Sequence, residues 1–188
     1  MTQGDGVGTL FTVGHSTRPL ADFLDLLGAH RIARLIDVRR FPGSRRHPQF
    51  GRDALARALA GAGIVYVHEP ELGGRREAAA SDSPNRAWRN ASFRAYADHT
   101  ASDSFRGALA RLLAGAAERP TAIMCAEAVP WRCHRQLIAD AALARGWRVL
   151  HILSPKRADP HALHADARVR GDGTIVYPGG DGEQQRLL

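Results

Sequence analysis

Residues 121–153, "TAIMCAEAVPWRCHRQLIADAALARGWRVLHIL", decide how this chain folds. A short apolar run, "TAIMCAE", reads as a strand. "CHRQLIADAALARG" reads as a helix, and "WRVLHIL" as a second apolar strand. Working outward, the same rhythm recurs. "TLFTVGHS" (9–16) is a strand stopping at Gly14. "TRPLADFLDLLGAHR" (17–31) is a helix, with Leu20, Phe23, Leu24 and Leu27 at helical spacing, Thr17 as its N-cap and Gly28 as its stop. "IARLIDVRRF" (32–41) is a strand and "PGSRRHPQFG" (42–51) a loop. "RDALARALAGAG" (52–63) is a helix, and "IVYVHEPELGG" (64–74) a strand running into a loop. Strands alternating with helices predict an α/β fold: a mostly parallel sheet of about five strands with helices on both faces.

Residues 74–92 break the rhythm as a long polar excursion, followed by a helical stretch, "SFRAYADHTASDSFRGALARLLAGA". The tail "ARVRGDGTIVYPGGDG" turns at Gly171-Asp172-Gly173, predicting a small C-terminal hairpin or edge strand. Neither a repeat nor a second core is evident, so residues 1–188 are expected to form a single domain.

Composition sets the class. The chain has 188 residues, 44% hydrophobic and 24% charged, as in ordinary globular domains. Two cysteines cannot build a secreted disulfide framework, and "MTQGDGVGTL" lacks the basic start and apolar run of a signal peptide. A cytoplasmic location is expected, and no membrane partner. The net charge of +7 favours anionic partners. Lys156 is the only lysine, however, and an arginine-rich, alanine-rich chain reflects coding bias as well as binding. Local clusters therefore carry more weight than the total.

In an open parallel sheet, ligands bind outside the carboxyl ends of the strands. On the strands inferred above, His15 and Ser16 follow the first. Asp37, Arg39 and Arg40 end the second, with Arg45, Arg46 and His47 in its loop. Glu69, Glu71, Gly73 and Gly74 follow the third, and Cys125 and Glu127 end the fourth. Nearly every reactive side chain thus falls at one rim. "VGHST" lacks the spacing of a phosphate-binding P-loop. The stretch from Arg39 to Arg52 interleaves arginines with Phe41 and Phe50, suiting phosphates and bases, and "LGGRR" (72–76), with Arg86, Trp88 and Arg89 beyond, repeats the theme.

Cys133-His134-Arg135 is expected to open a helix, whose unpaired N–H groups favour anions and stabilise a nearby thiolate. Cys125 facing that opening would be a usable nucleophile; as a free cysteine it is equally at home buried in the core. No metal is expected. C-x7-C-H matches no common zinc spacing, and the echo of zinc deaminases fails for want of a CxxC.

The ordered set "TVGHSTRPL", "LIDVRRFPGSRR", "PQFG", "YVHEPELGGRR", "WRNASFRAYAD" and residues 124–143 closely resembles the domain of unknown function 488 family (DUF488), most strongly over residues 11–152. The resemblance implies a bacterial, cytoplasmic, single-domain α/β protein. The positions matching its motifs are His15, Ser16, Asp37, Arg39, Glu71, Gly73, Gly74, Asn90, Cys125, Glu127, Cys133, His134 and Arg135. A fold-level likeness to rhodanese-type sulfurtransferases also exists in the "IDVR" strand and the later strand ending in cysteine, although the loop after the cysteine is longer here.

These readings lead to three expectations. The first is an enzyme with an anion-binding pocket at the strand ends, taking a phosphate-bearing small molecule or nucleic acid and needing no cofactor. Arg39 and Arg135 would clamp the phosphate, and Glu127, His134 and His15 would serve as acid or base. The second is a sulfur-transfer or thiol-redox enzyme, with Cys125 as carrier and Cys133 as resolving partner. The third is a non-enzymatic nucleic-acid-binding module.

Overall fold

The computed structural model describes residues 8–43, 46–76 and 81–179; Arg45, part of the arginine-rich loop, lies outside them. Its elements are β1 (Thr9–Gly14), α1 (Leu20–Ala29), β2 (Arg34–Asp37), α2 (Arg52–Gly61), β3 (Val65–His68), α3 (Ala91–His99), α4 (Asp103–Glu118), β4 (Thr121–Cys125), α5 (Arg135–Leu143), β5 (Arg148–Ser154), β6 (Arg157–Pro160), β7 (Arg168–Val169) and β8 (Ile175–Val176). One six-stranded sheet has the order β3-β2-β4-β1-β5-β6, and its first five strands are parallel, as expected from the alternation of strands and helices. The sixth, β6, is antiparallel to β5. β7 and β8 form a separate antiparallel pair around a turn at Gly173, whose φ of 77° suits glycine. No helix among the described residues is long and apolar enough to cross a membrane.

Helices cover both faces because the strands are apolar on both. In β4, Ala122 and Met124 join a core with Phe23, Leu26 and Leu27 of α1 and Leu55 and Leu59 of α2. Ile123 and Cys125 point the other way, into a core with Tyr96 of α3, Phe105 and Leu109 of α4, and Leu137 and Ile138 of α5. This parity puts Cys125 on the α5 side of the sheet. From β1 the chain crosses leftward to β2, whereas from β4 it crosses over β1 to β5. The gap between the ends of β1 and β4 is therefore the topological switch point, where such sheets open a crevice.

Three local expectations are corrected. Thr17 does not cap α1: the N-cap is Pro19, which presets the helical φ, while residues 15–18 are used in leaving β1. The helix also runs one residue past Gly28, to Ala29, and Arg31 takes the left-handed turn at φ 54°. α5 starts at Arg135 and not at Cys133, which is still extended (φ −140°, ψ 147°). The helical stretch over residues 92–116 is two helices, broken where Ser102 caps α4 by accepting from the Phe105 N–H.

Candidate active site at the switch point

A cavity of about 520 Å³ opens between the ends of β1, β2 and β4 and the start of α3. Its lining includes His15, Ser16, Arg39, Gly74, Cys125, Glu127, Cys133 and His134, which the sequence places at the rim. It also includes Arg40, Phe41, His47, Arg75 and Arg132 from the basic loops and Ser92, Phe93 and Tyr96 of α3. The α3 residues lie within the "WRNASFRAYAD" motif, but only the fold shows that this helix closes one wall.

The floor is built by the loop after β4. It lies directly over β1, with the His15 and Ser16 N–H groups donating to the Cys125 and Ala126 carbonyls at 3.0 Å each. A Cβ on Gly14 would stand 1.9 Å from the Glu127 carbonyl oxygen, so only glycine admits this crossing. Ser16 adopts a left-handed φ of 51°, a strained geometry for serine, at the cavity edge. Having crossed β1, the loop returns and sets Cys133 beside Cys125, their Sγ atoms 2.7 Å apart. Each sulfur is 3% exposed as a residue, yet both line the cavity.

The two sulfurs are not equivalent. Burial pushes the Cys125 thiol up, as do its hydrogen bond to Cys133 and the proximity of a second sulfur. Burial opposes ionisation of Cys133 as well. There it is overridden by a hydrogen bond from Cys125 and by the His134 and Arg135 charges, which hold Cys133 well below the usual thiol range. His134 Nδ1 is 3.5 Å from Cys133 Sγ, and its Nε2–H donates to the Val38 carbonyl at 3.1 Å. The Arg135 backbone N–H also points at Cys133 Sγ, at 3.5 Å. These directions favour ionisation of Cys133 over Cys125, with the Cys125 thiol donating to it.

Arg135 stands behind the sulfurs and does not line the cavity. At 1% exposure it donates to the Glu127 carbonyl at 2.6 Å and, over a longer 3.4 Å, to Thr12 Oγ1. Its Nε finds no hydrogen-bond partner among the described residues. Burial works against its charge, yet its pKa is raised because Cys125 and Cys133 face it. Arg135 is therefore placed as the thiolate's counter-ion.

Arg39 is likewise committed within the protein. It forms a two-pronged ion pair with Asp37 (2.8 and 2.6 Å) and donates to the Phe50 carbonyl at 2.9 Å, while Tyr66 donates to the same carboxylate at 2.8 Å. Asp37 is fully buried in that pair and away from the cavity. His15 stacks on Phe50 with centroids 4.2 Å apart; its Nδ1–H donates to the Ser16 carbonyl, leaving Nε2 to face Arg39 Nη1 at 3.4 Å. Burial lowers its pKa to about 4, and Arg39 contributes, so His15 is a neutral acceptor at pH 7.

Of the other predicted ligand residues, Asn90, Glu71 and Gly73 support the walls from outside the lining, and Gly74 is part of it. Asn90 caps α3 by accepting from the Ser92 and Phe93 N–H groups. The Glu71 carbonyl accepts from His99 and Arg76. Gly73 packs against Arg40, where a Cβ would lie 2.7 Å from the arginine Cβ. Gly74 packs face-on to His134, where a Cβ would meet Nδ1 at 2.5 Å. Among the described residues, no three histidine, cysteine or acidic side chains group as a metal site.

Comparison with curated proteins and with solved structures finds no match. A family model does match, over residues 19–142, which include the thiol pair, His134, Arg135 and the Asp37–Arg39 pair but not His15 or Ser16. The chain belongs to the family described as domain of unknown function DUF488.

Proposed function

We propose that this DUF488 protein is a dithiol–disulfide enzyme acting on an anionic substrate. The observation that carries this reading is the contact of two cysteine sulfurs, 2.7 Å apart, on the floor of the cavity. A single-cysteine sulfur carrier needs no second sulfur there. A dithiol reductant does, because the second thiol must attack the first.

The Cys133 thiolate attacks one sulfur of a substrate disulfide. A Cys133–substrate disulfide forms, the substrate S–S bond breaks, and the departing thiolate takes the proton of Cys125. Cys125, now a thiolate, attacks Cys133 Sγ; the Cys125–Cys133 bond forms and the second substrate thiolate leaves to be protonated by solvent. One substrate disulfide becomes two thiols as the cysteine pair is oxidised, and an external dithiol returns the pair to its starting state. Arg135 lowers the energy of the thiolate in the first step. His134, its Nε2–H donating to the Val38 carbonyl, is held with Nδ1 facing that sulfur.

Selection of an anion rests on the mouth. Arg40, Arg75 and Arg132 line the cavity, against one carboxylate among the described lining residues, that of Glu127. These three take the role expected of Arg39, paired with Asp37, and of Arg135, buried behind the sulfurs. A second reading, phosphates of a nucleotide or single-stranded nucleic acid at the same mouth, is supported by Phe41, 66% exposed beside Arg40, and Trp131, 62% exposed beside Arg132. It predicts oligonucleotide binding that weakens steeply with salt and needs neither cysteine.

The test of the main reading is trapping. With Cys125→Ser, an anionic aryl disulfide should leave a stable mixed disulfide on Cys133; with Cys133→Ser, Cys125 should stay unmodified on the same timescale; the unaltered protein should close the intramolecular disulfide. Absence of any adduct in folded Cys125→Ser, or equal labelling of both single variants, would remove the dithiol reading.

A further inference from the structure

A buried line of polar groups runs from the back of the thiol pair to the C-terminal segment. Arg135 Nη1 donates to Thr12 Oγ1. Thr12 Oγ1 lies 2.8 Å from His151 Nδ1, His151 Nε2 3.0 Å from His161 Nδ1, and His161 Nε2 2.8 Å from Asp140 Oδ1. Thr12 and Asp140 are fully buried, and His151 nearly so. Asp140 also accepts from the Tyr177 hydroxyl at 2.8 Å and the His164 N–H at 3.1 Å.

The donors and acceptors fix every hydrogen in the line when both imidazoles are neutral. A carboxylate only accepts, so His161 carries its proton on Nε2 and accepts at Nδ1. His151 must then donate from Nε2 and accept at Nδ1, so the Thr12 hydroxyl gives its hydrogen to His151. What Thr12 has left for Arg135 is a lone pair, and arginine only donates. The line is therefore polarised in one direction, from the Arg135 cation to the Asp140 anion. Burial first, then the neighbouring His161 and the Arg135 charge, lower the His151 pKa to about 4 against the pull of Asp159 and Asp140, so His151 is neutral at pH 7.

We propose that this line is a positioning device for the thiol pair: it fixes the Thr12 hydroxyl with a lone pair toward Arg135, and so holds the guanidinium against the sulfurs. Arg135 needs such a hold, because it has no carboxylate at its own end and a long, flexible side chain. Thr12, His151, His161 and Tyr177 all lie outside residues 19–142, so it is this chain's flanking segments that complete the site. The inference rests on Cys133 being the stabilised thiolate.

The test pairs substitutions that separate positioning from packing. Thr12→Val keeps the shape and removes the hydroxyl, whereas Thr12→Ser keeps the hydroxyl and loses a buried methyl. Thr12→Val should raise the pH midpoint of Cys133 alkylation, with the ionisation constant it reports falling about five-fold, the equivalent of one hydrogen bond. Thr12→Ser should lower the melting temperature yet keep the midpoint. His161→Leu should raise the midpoint by less, and His161→Gln, which can accept from His151 and donate to Asp140, should restore it; this second pair decides the matter should Thr12→Val not fold. An unchanged midpoint in folded Thr12→Val, or an equal rise in Thr12→Ser, overturns the positioning role while leaving the dithiol reading intact. A wild-type midpoint at Cys133 no lower than an ordinary thiol's would instead overturn the reading on which it rests.

Discussion

At the scale of single residues, charge placement separates two cysteines that share one buried environment. Arg135 is a cation at 1% exposure whose acceptors are a carbonyl and a hydroxyl, and a buried cation without an anion is costly. The Cys133 thiolate supplies that anion. Arg135→Gln should therefore raise the Cys133 midpoint by roughly one unit, a ten-fold fall in its ionisation constant; the pH dependence of peptide-mapped alkylation checks this. Asp37→Asn should destabilise the fold by about 3–5 kcal/mol in denaturant melts, because it leaves Arg39 charged and buried. The chemistry of the rim was legible in the sequence: strand ends put His15, Arg39, Cys125 and Glu127 at one rim, where all four line the cavity. Which cysteine ionises was not. That depends on the path of residues 126–134, which turns Cys133 toward His134 and the α5 N-terminus while leaving Cys125 at the end of an apolar strand.

At the scale of elements, the loop crossing over β1 is the feature on which the site depends. Gly14→Ala should clash with the Glu127 carbonyl and cost well over 1 kcal/mol, with loss of rapid Cys133 labelling in whatever protein folds. Ser102→Ala, far from the cavity, should cost about 1 kcal/mol through the lost α4 cap and leave labelling unchanged, which makes it the control. Long elements were readable because their apolar spacing repeats over several turns. β6 was not: Arg157–Pro160 carries an Arg–Asp pair and a proline, which suit an exposed edge and hide its strand character. The break between α3 and α4 was missed because helical composition continues on both sides of it, although Ser102 followed by Asp103 marks a cap. Gly73 and Gly74 read as ligand-binding glycines; Gly74 lines the cavity, and their lack of a side chain also lets them pack against Arg40 and His134.

At the scale of the whole molecule, alternating strands and helices placed the reactive residues at one rim of the sheet, while the strand order that opens the crevice between β1 and β4 is visible only in the fold; the net charge of +7 matches a mouth with more arginines than acids among the described residues. The Thr12-to-Asp140 line was invisible to the same reasoning, because bonded neighbours in it lie as much as 139 residues apart and only folding brings them together. Two buried histidines give the molecule an acid-sensitive window. His15 and His151 are held to about 4 when folded, against about 6.5 in an unfolded chain. Between those values the unfolded state binds more protons, so their contribution to stability is complete above about pH 6.5 and falls away as the pH drops toward 4. Melting temperatures should begin to decline by pH 6, before carboxylates titrate, and His15→Gln should flatten part of that decline.

The measurement that tests the central claim most directly is the pH dependence of iodoacetamide alkylation of the reduced, folded protein, with modification mapped separately at Cys133 and Cys125. The account predicts that Cys133 reacts first, with a midpoint well below the ordinary thiol value of about 8.5, and that Cys125 reacts only at higher pH. Preferential alkylation of Cys125, or a midpoint at Cys133 at or above the ordinary value, would contradict it.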